Sequence, residues 1–136
     1  MANSVDIGPG EFVAGDNHEL TITDADISTA GQIATDAWLT VKQSFWDADL
    51  LALVQKHITG TNAPNVGQIT NTGANGQPVT LRFDLMPADT AKLAPPLYQP
   101  WFRYDYDIQI KTQSGNIYTS VEGLIVADSQ VTQATS

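Results

Sequence analysis

Two histidines, His18 and His57, are the side chains of this 136-residue chain best suited to act as a general base near neutral pH. His18 opens a predicted strand, and His57 lies near the end of a predicted helix. A catalytic histidine takes the proton of a nucleophile, and a third side chain holds the histidine in the required orientation. Neither histidine stands within a serine, cysteine or carboxylate motif of that kind. We therefore predict no catalytic residues and no enzymatic activity.

Paired carboxylates offer a second kind of chemistry, the binding of calcium. Asp105 and Asp107 alternate onto one strand face and could be joined by Asp24 or Asp26. Calcium takes about six to eight oxygen ligands, mostly from a preshaped loop, and the chain has no Asp-rich loop of that type. Basic residues flank the pair, which favours a solvated strand face. With no glycine-rich phosphate loop and no cysteine, we expect neither a metal nor another cofactor.

Aromatic residues are the best candidates for function. Four of them cluster near one stretch of chain: Tyr98, Trp101, Phe102 and Tyr104. They could cap the core at one end of the domain, anchor a protein partner, or stack on a sugar. Trp38 falls on the opposite strand face from Ala37 and Leu39, which indicates either an interface or a second buried face. The interface candidates are Trp38, Tyr98, Trp101 and Phe102.

Charge limits the choice of partner. Fifteen acidic residues against six basic ones give a formal net charge of −9. Long-range repulsion then disfavours nucleic acid and anionic membrane surfaces as partners. The chain begins without the basic and apolar segments of a signal peptide, and it contains no apolar run of membrane-spanning length. We expect a soluble protein that acts through its surfaces.

The clearest structural element is a long hairpin near the end of the chain. Residues Arg103–Lys111 alternate strictly, with the tyrosines and isoleucines on one face and polar residues on the other, which predicts a half-buried strand. A turn containing Gly115 leads into a returning strand, Ile117–Val126. The apolar phase of the returning strand slips, and Gly123 is the expected site of a β-bulge.

Shorter strands precede the hairpin. Alternation and turn residues predict them at Glu11–Val13, His18–Thr23, Ala37–Lys42, Gln68–Thr70 and Val79–Leu85. Helical spacing of apolar residues predicts a helix over Asp47–Ile58, and Pro87 suits the start of another over Pro87–Leu93. The pattern predicts an all-β fold, an antiparallel β-sandwich of about seven strands with one or two short inserted helices.

The domain itself is expected at residues 11–127. Residues 1–10 end in Gly8-Pro9-Gly10 and are predicted to form an N-terminal arm, while residues 128–136 form a C-terminal tail. Because both ends carry few charges, we expect at least one of them to pack along an adjacent subunit, most readily the N-terminal arm.

Several short motifs occur in a familiar order. A Gly15-Asp16 turn opens the first strands, Pro-Ala-Asp-Thr follows a strand at Pro87–Thr90, and Tyr-Asp-Ile-Gln occupies Tyr106–Gln109. A Gly-x-x-Tyr-Thr hairpin then spans Gly115–Thr119. Together they resemble the immunoglobulin-like domains of tailed-phage virion proteins, in particular the N-terminal domain of the phage baseplate upper protein family. Here Met86 stands where that family usually has a capping Thr or Ser.

This resemblance implies an Ig-like sandwich and a structural role in a virion assembled in the host cytoplasm. Its partners would be other virion structural proteins, with the domain oligomeric within the particle. The tail, baseplate, neck and capsid surface remain open as positions. The alternative function is a carbohydrate-binding module on the virion surface, in which an exposed tryptophan would stack on a glycan.

Overall fold

The computed structural model describes residues 3–4, 7–24, 32–43, 52–93, 95 and 101–128. Within these residues the chain forms ten strands, eight of them longer than two residues. The strands are β1 (Asn3–Ser4), β2 (Ile7–Val13), β3 (His18–Asp24), β4 (Ala34–Lys42), β5 (Val54–Thr59), β6 (Asn62–Ala63), β7 (Gly67–Asn71), β8 (Val79–Leu85), β9 (Trp101–Thr112) and β10 (Ile117–Asp128). A four-residue helix, Pro87–Thr90, and 3₁₀ turns at Ala74–Gly76 and Ala91–Leu93 complete the described elements.

Two sheets pack face to face. Sheet A has six strands in the order β1-β10-β9-β4-β5, with β2 also pairing with β10. Sheet B has four strands in the order β3-β8-β7-β6. All pairs are antiparallel except those of β1 and β2 with β10. This division of strands between the sheets is that of an immunoglobulin-like sandwich, so the predicted fold class is confirmed.

The core lies between the two sheets and consists of alternate residues from the long strands. Val79, Leu81, Phe83 and Leu85 of β8 are all buried, as the alternation predicted. On sheet A, Ala37, Leu39 and Val41 of β4 are completely buried against them. β4 and β8 therefore each turn one face inward and the other outward.

The final hairpin is confirmed as two paired twelve-residue strands. The β9 side chains from Tyr104 to Ile110 alternate buried and half-buried in the predicted phase. The predicted bulge at Gly123 was wrong, because Gly123 lies in regular register opposite Tyr106. The shift occurs between Thr119 and Val121. Val121 therefore turns inward and Leu124 turns outward, so the two do not share the face that a bulge at Gly123 would have given them.

The predicted helix Asp47–Ile58 was also wrong where it can be compared. Residues 54–59 form strand β5, in which Val54, Lys56 and Ile58 alternate inward, whereas residues 44–51 lie outside the described part. The apolar positions at 54 and 58 fit a helical spacing and also an even strand spacing. The inward charge of Lys56 hid the second pattern. Cross-strand pairing with β4 selects the strand over the helix.

The second predicted helix is confirmed at Pro87–Thr90. In place of a capping hydroxyl before Pro87, the Asp89 carboxylate accepts a hydrogen bond from the Met86 N–H at 2.9 Å. Asp89 also forms an ion pair with Lys56, whose ammonium donates to the carbonyl of Asn65. The short helix is thereby fastened to the inner side of β5.

Thr90 joins the same helix to the turn after β2. Its hydroxyl donates to the Asp16 carbonyl at 2.7 Å and accepts from the Gly15 N–H at 2.9 Å, and the side chain is completely buried. Two of the sequence pieces that carried the family resemblance, Gly15-Asp16 and Pro87–Thr90, therefore meet in space.

The N-terminal residues lie against this chain's own sheet. Asn3 and Ser4 pair with Val121 and Glu122, and β2 pairs with the end of β10. The expected boundary between arm and domain, at residues 10 and 11, falls inside β2. Contact of the arm with an adjacent subunit stays a prediction.

Candidate docking surface

The outer face of sheet A carries the exposed aromatic and aliphatic side chains of interest. Cross-strand register brings alternate residues of β5, β4, β9 and β10 onto it. Trp101 is 51% exposed and Ile117 is 58% exposed. The principal members of the outer face of sheet A are Asp36, Trp38, Thr40, Lys42, Gln55, His57, Trp101, Arg103, Asp105, Asp107, Gln109, Lys111, Ile117, Glu122, Leu124 and Val126.

One depression on this face, the Trp38 depression, has a volume of about 210 Å³. Its walls are one aromatic, one aliphatic and four polar side chains: Trp38, Thr40, Gln55, Asp107, Gln109 and Ile117. These residues come from four neighbouring strands, so sheet pairing alone brings them together. The mixture offers a hydrophobic wall, a carboxylate and two amides within a small space.

The Trp38 indole is held in place by its neighbour on β5. Trp38 and His57 are direct cross-strand partners, and their rings stack with centroids 4.5 Å apart and planes inclined by 13°. The His57 Nε2 lies 2.9 Å from the Asp36 carboxylate. The ring partners of His57 are thus the Trp38 indole and the Asp36 carboxylate. The arrangement fixes an aromatic platform.

A second depression, the Trp101 depression, lies at the other end of the face. It has a volume of about 620 Å³ and is lined by Gln43, Trp101, Phe102, Arg103, Asp105 and Leu124. Trp101 is eight residues before Gln109, the β9 partner of Trp38. At about 3.3 Å per residue, the two tryptophans are therefore roughly 26 Å apart along the strand. The face offers two separate anchoring points.

The predicted aromatic cluster divides between the two sides of β9. Phe102 packs against the core and its ring lies 5.1 Å from that of Tyr104, which is buried. Burial raises the pKa of the Tyr104 phenol above its ordinary value. Trp101 alone of these three turns outward, and Tyr98 lies outside the described residues.

Charge along the outer face of sheet A is mixed, with one local conflict. Lys42 lies opposite Asp105, and Asp36 lies opposite Lys111, so these neighbours are oppositely charged. Asp107 instead lies opposite Glu122 on β10 and Thr40 on β4. Like charges directly opposite each other on a sheet are unfavourable. The conflict lies beside the Trp38 depression.

The outer face of sheet B has a different composition. Its outward residues are polar throughout the described strands: Glu19, Thr21 and Thr23 on β3, Thr80, Arg82 and Asp84 on β8, and Gln68 on β7. Arg82 and Asp84 form a bidentate ion pair, and the carboxylate raises the pKa of the Arg82 guanidinium.

Sequence reasoning found Trp38 and Trp101 but missed two members of the surface. Ile117 and Leu124 both lie on the outer face, and each lines one depression. The alternation of β10 carried the signal, but the shift at Ser120 disguised it. Ser120 is buried there and donates a hydrogen bond to Asp24 at the end of β3.

The other residues considered for chemistry lie apart. His18 is half-buried, with its ring 5.0 Å from that of Phe12. Asp24 is buried, whereas Asp105 and Asp107 lie on the outer face of sheet A, and Asp26 lies outside the described residues. Across the described ranges, no group of three or more His, Asp or Glu side chains is arranged to hold a metal ion. No helix in the same part of the chain is long and apolar enough to cross a bilayer.

Comparisons with known proteins give distant structural neighbours. No protein-family model and no curated protein matches the chain. CopC from Methylosinus trichosporium OB3b is 12% identical, with a TM-score of 0.34, over 98% of this chain and 89% of that one. Murine CRIg is 13% identical, with a TM-score of 0.35, over 94% and 92%. ACE19, the collagen binding subdomain of the Enterococcus faecalis surface protein ACE, is 12% identical, with a TM-score of 0.25, over 92% and 93%. At these values none of the three carries an activity to this chain.

Proposed function

We propose that this protein is a non-enzymatic structural component of a tailed-phage virion, which docks on other virion proteins through the outer face of sheet A. The observation that carries the docking role is the confinement of Trp101, Ile117 and Trp38 to one outer face. Trp38 and Ile117 line one depression, and Trp101 and Leu124 line the other, so the face presents two apolar patches of the kind that serve as interaction sites. Aromatic residues are also those that most often dominate binding energy.

The virion setting has a different basis, namely the resemblance to the Ig-like domains of tailed-phage proteins. Two of the resembling pieces, Gly15-Asp16 and Pro87–Thr90, are joined in space by the hydrogen bonds of Thr90. A tail or baseplate adaptor agrees best with the resemblance. A neck protein or a head decoration protein would use the same kind of surface.

The test is incorporation of variants into virions. Mass spectrometry of purified particles should first find the protein at stoichiometric occupancy. Ile117→Asp, at an exposed position of the outer face of sheet A, should then fold normally and be lost from the particles. Thr21→Asp places the same charge on the exposed outer face of sheet B and should load at wild-type occupancy. Normal loading of both variants would refute docking through sheet A.

Glycan binding is the second candidate, and Trp101 is the observation that favours it. The indole is 51% exposed and shares an open depression with Gln43, Arg103 and Asp105. An aromatic ring beside planar polar groups is a suitable surface for a sugar ring. Binding on a glycan array that disappears in Trp101→Ala and persists in Trp38→Ala would favour this function over the first. An array without binding would leave protein docking as the function of the depression.

A further inference from the structure

We propose that the Trp38 depression receives an arginine side chain of the partner protein. The inference rests on the proposed docking function and names the chemistry of the partner. The depression, at about 210 Å³, is smaller than the roughly 300–1,000 Å³ typical of sites for whole small molecules. A single long side chain is an occupant of suitable size.

The lining of the depression selects a cation. The Asp107 carboxylate supplies negative charge, and the side-chain amides of Gln55 and Gln109 supply acceptor oxygens. Glu122 lies opposite Asp107 in register and adds to the negative potential. A cation bound beside these two carboxylates would lower the repulsion between them. An acidic partner side chain would instead increase it.

The aromatic wall distinguishes arginine from lysine. A guanidinium is planar, stacks on an indole and accommodates a carboxylate through two parallel N–H···O bonds. The Trp38 ring is already fixed by its stack on His57. Little further side-chain entropy is therefore lost when a ligand binds to it. Ile117, which is 58% exposed, offers contact for the methylene stem or for an apolar neighbour of the arginine.

The charge of the whole chain agrees with such a partner. A protein of formal net charge −9 attracts a basic surface at long range and accelerates encounter with it. The partner that we infer is therefore a protein surface presenting an arginine beside an apolar side chain.

The probe is a pair of capped ten-residue peptides that differ at one atom. One carries a single central arginine flanked by leucines, and its twin carries citrulline, the neutral isostere. Both are titrated into ¹⁵N-labelled protein, and the indole N–H signal of Trp38 is followed after its assignment with Trp38→Phe. We expect the arginine peptide to move this signal and the citrulline peptide to bind about tenfold more weakly or worse, since a charge-assisted contact is lost.

Matched variants locate the effect. Asp107→Asn should weaken the arginine peptide by about tenfold, while Asp84→Asn, an equal change of charge on the outer face of sheet B, should alter it less than about twofold. Equal binding of the two peptides, equal effects of the two variants, or no movement of the Trp38 signal at about 10 mM peptide would each overturn the inference.

The result is separable from the docking role itself. If Ile117→Asp is lost from particles while the arginine peptide fails to bind, docking through sheet A stands and the arginine partner is refuted. If Ile117→Asp loads normally, the proposed function fails whatever the peptides do.

Discussion

The two outer faces of the sandwich differ in composition although both cover the same core. Sheet A carries a half-buried Trp38 and the exposed Trp101 and Ile117, whereas sheet B exposes threonines and an Arg82–Asp84 ion pair. Threonine suits a strand because its branched Cβ fits the pleated surface and its hydroxyl remains in water. Sheet B therefore has the composition expected of a face whose neighbour is solvent.

The outer face of sheet A departs from that composition. It carries the 58% exposed Ile117 and places the carboxylates of Asp107 and Glu122 opposite each other. The stability of the fold is enough to explain the residue composition of the outer face of sheet B. For the composition of sheet A we propose a second cause, the binding of a partner.

The largest expected effect tests whether each sheet really has one buried face. Phe83 is completely buried on the inner side of sheet B, so Phe83→Ala should cost about 3–5 kcal/mol of unfolding free energy. Thr21→Ala, on the exposed side of the same sheet, should remain within about 0.5 kcal/mol of the wild type. Chemical denaturation monitored by circular dichroism measures both. Similar values for the two variants would mean that the strand phase is wrong.

A smaller effect is expected inside sheet A, where β5 turns one basic side chain inward and one outward. Lys56 is buried and paired with Asp89, and neighbouring His57 is exposed. Asp89→Asn leaves the Lys56 charge largely buried without its ion-pair partner, so we expect a loss of about 2–3 kcal/mol, below the cost for a fully buried pair.

Two companion variants test the origin of that loss. Lys56→Met combined with Asp89→Asn should recover much of the stability, because no uncompensated charge then remains in the interior. His57→Gln on the outward side should cost less than Asp89→Asn. A double variant no more stable than Asp89→Asn alone would show that the ion pair is not the source of the effect.

Most of the sandwich was predictable because long strands alternate. Arg103–Lys111 and Val79–Leu85 each follow a period of two without exception, and tertiary packing agreed with that local signal. β5 was not predictable, because an inward Lys56 breaks the apolar alternation that identifies a strand. Its burial depends on Asp89, more than thirty residues away in the chain, and no local pattern reports such a partner.

The docking surface was predictable only in part, for a related reason. Trp38 and Trp101 are conspicuous by residue type, and their strand phase turned them outward in the structure. Ile117 and Leu124 were hidden by the register shift at Ser120, which depends on a hydrogen bond to Asp24 across the sandwich. Local periodicity therefore found the members of the surface on β4 and β9. It failed on β10, where a long-range contact sets the phase.

Unfolding at alkaline pH tests whether Tyr104 is buried on the inner side of β9, in contrast to the outward Trp101. Burial raises the pKa of the Tyr104 phenol, so the folded state favours its protonated form. The stability this gives is fully present below the ordinary tyrosine pKa of about 10 and is lost as the pH rises through and above it. Tyr104→Phe should remove that part of the pH dependence. The check is unfolding free energy between about pH 8 and 11 for both proteins. Identical slopes would place Tyr104 in water.

The smallest expected effect compares one substitution on the two outer faces. Arg82 donates to both oxygens of Asp84, at 2.8 and 3.3 Å, with side chains 34% and 25% exposed. Such a partly solvated pair contributes little, so Asp84→Asn should lower the stability only slightly.

Asp107→Asn on sheet A makes the same change of charge in a different setting. It removes one of two carboxylates that face each other across β9 and β10, so it should stabilise the free protein by about 0.2–1 kcal/mol. The two variants thus differ in sign although their charge change is identical, and an effect of net charge alone would give them the same sign. Paired urea titrations at low and high salt measure the difference, which should shrink as salt screens both interactions. A loss of stability in Asp107→Asn would show that Asp107 serves the fold, and the distinction between a face built for solvent and a face built for a partner would then lose its electrostatic support.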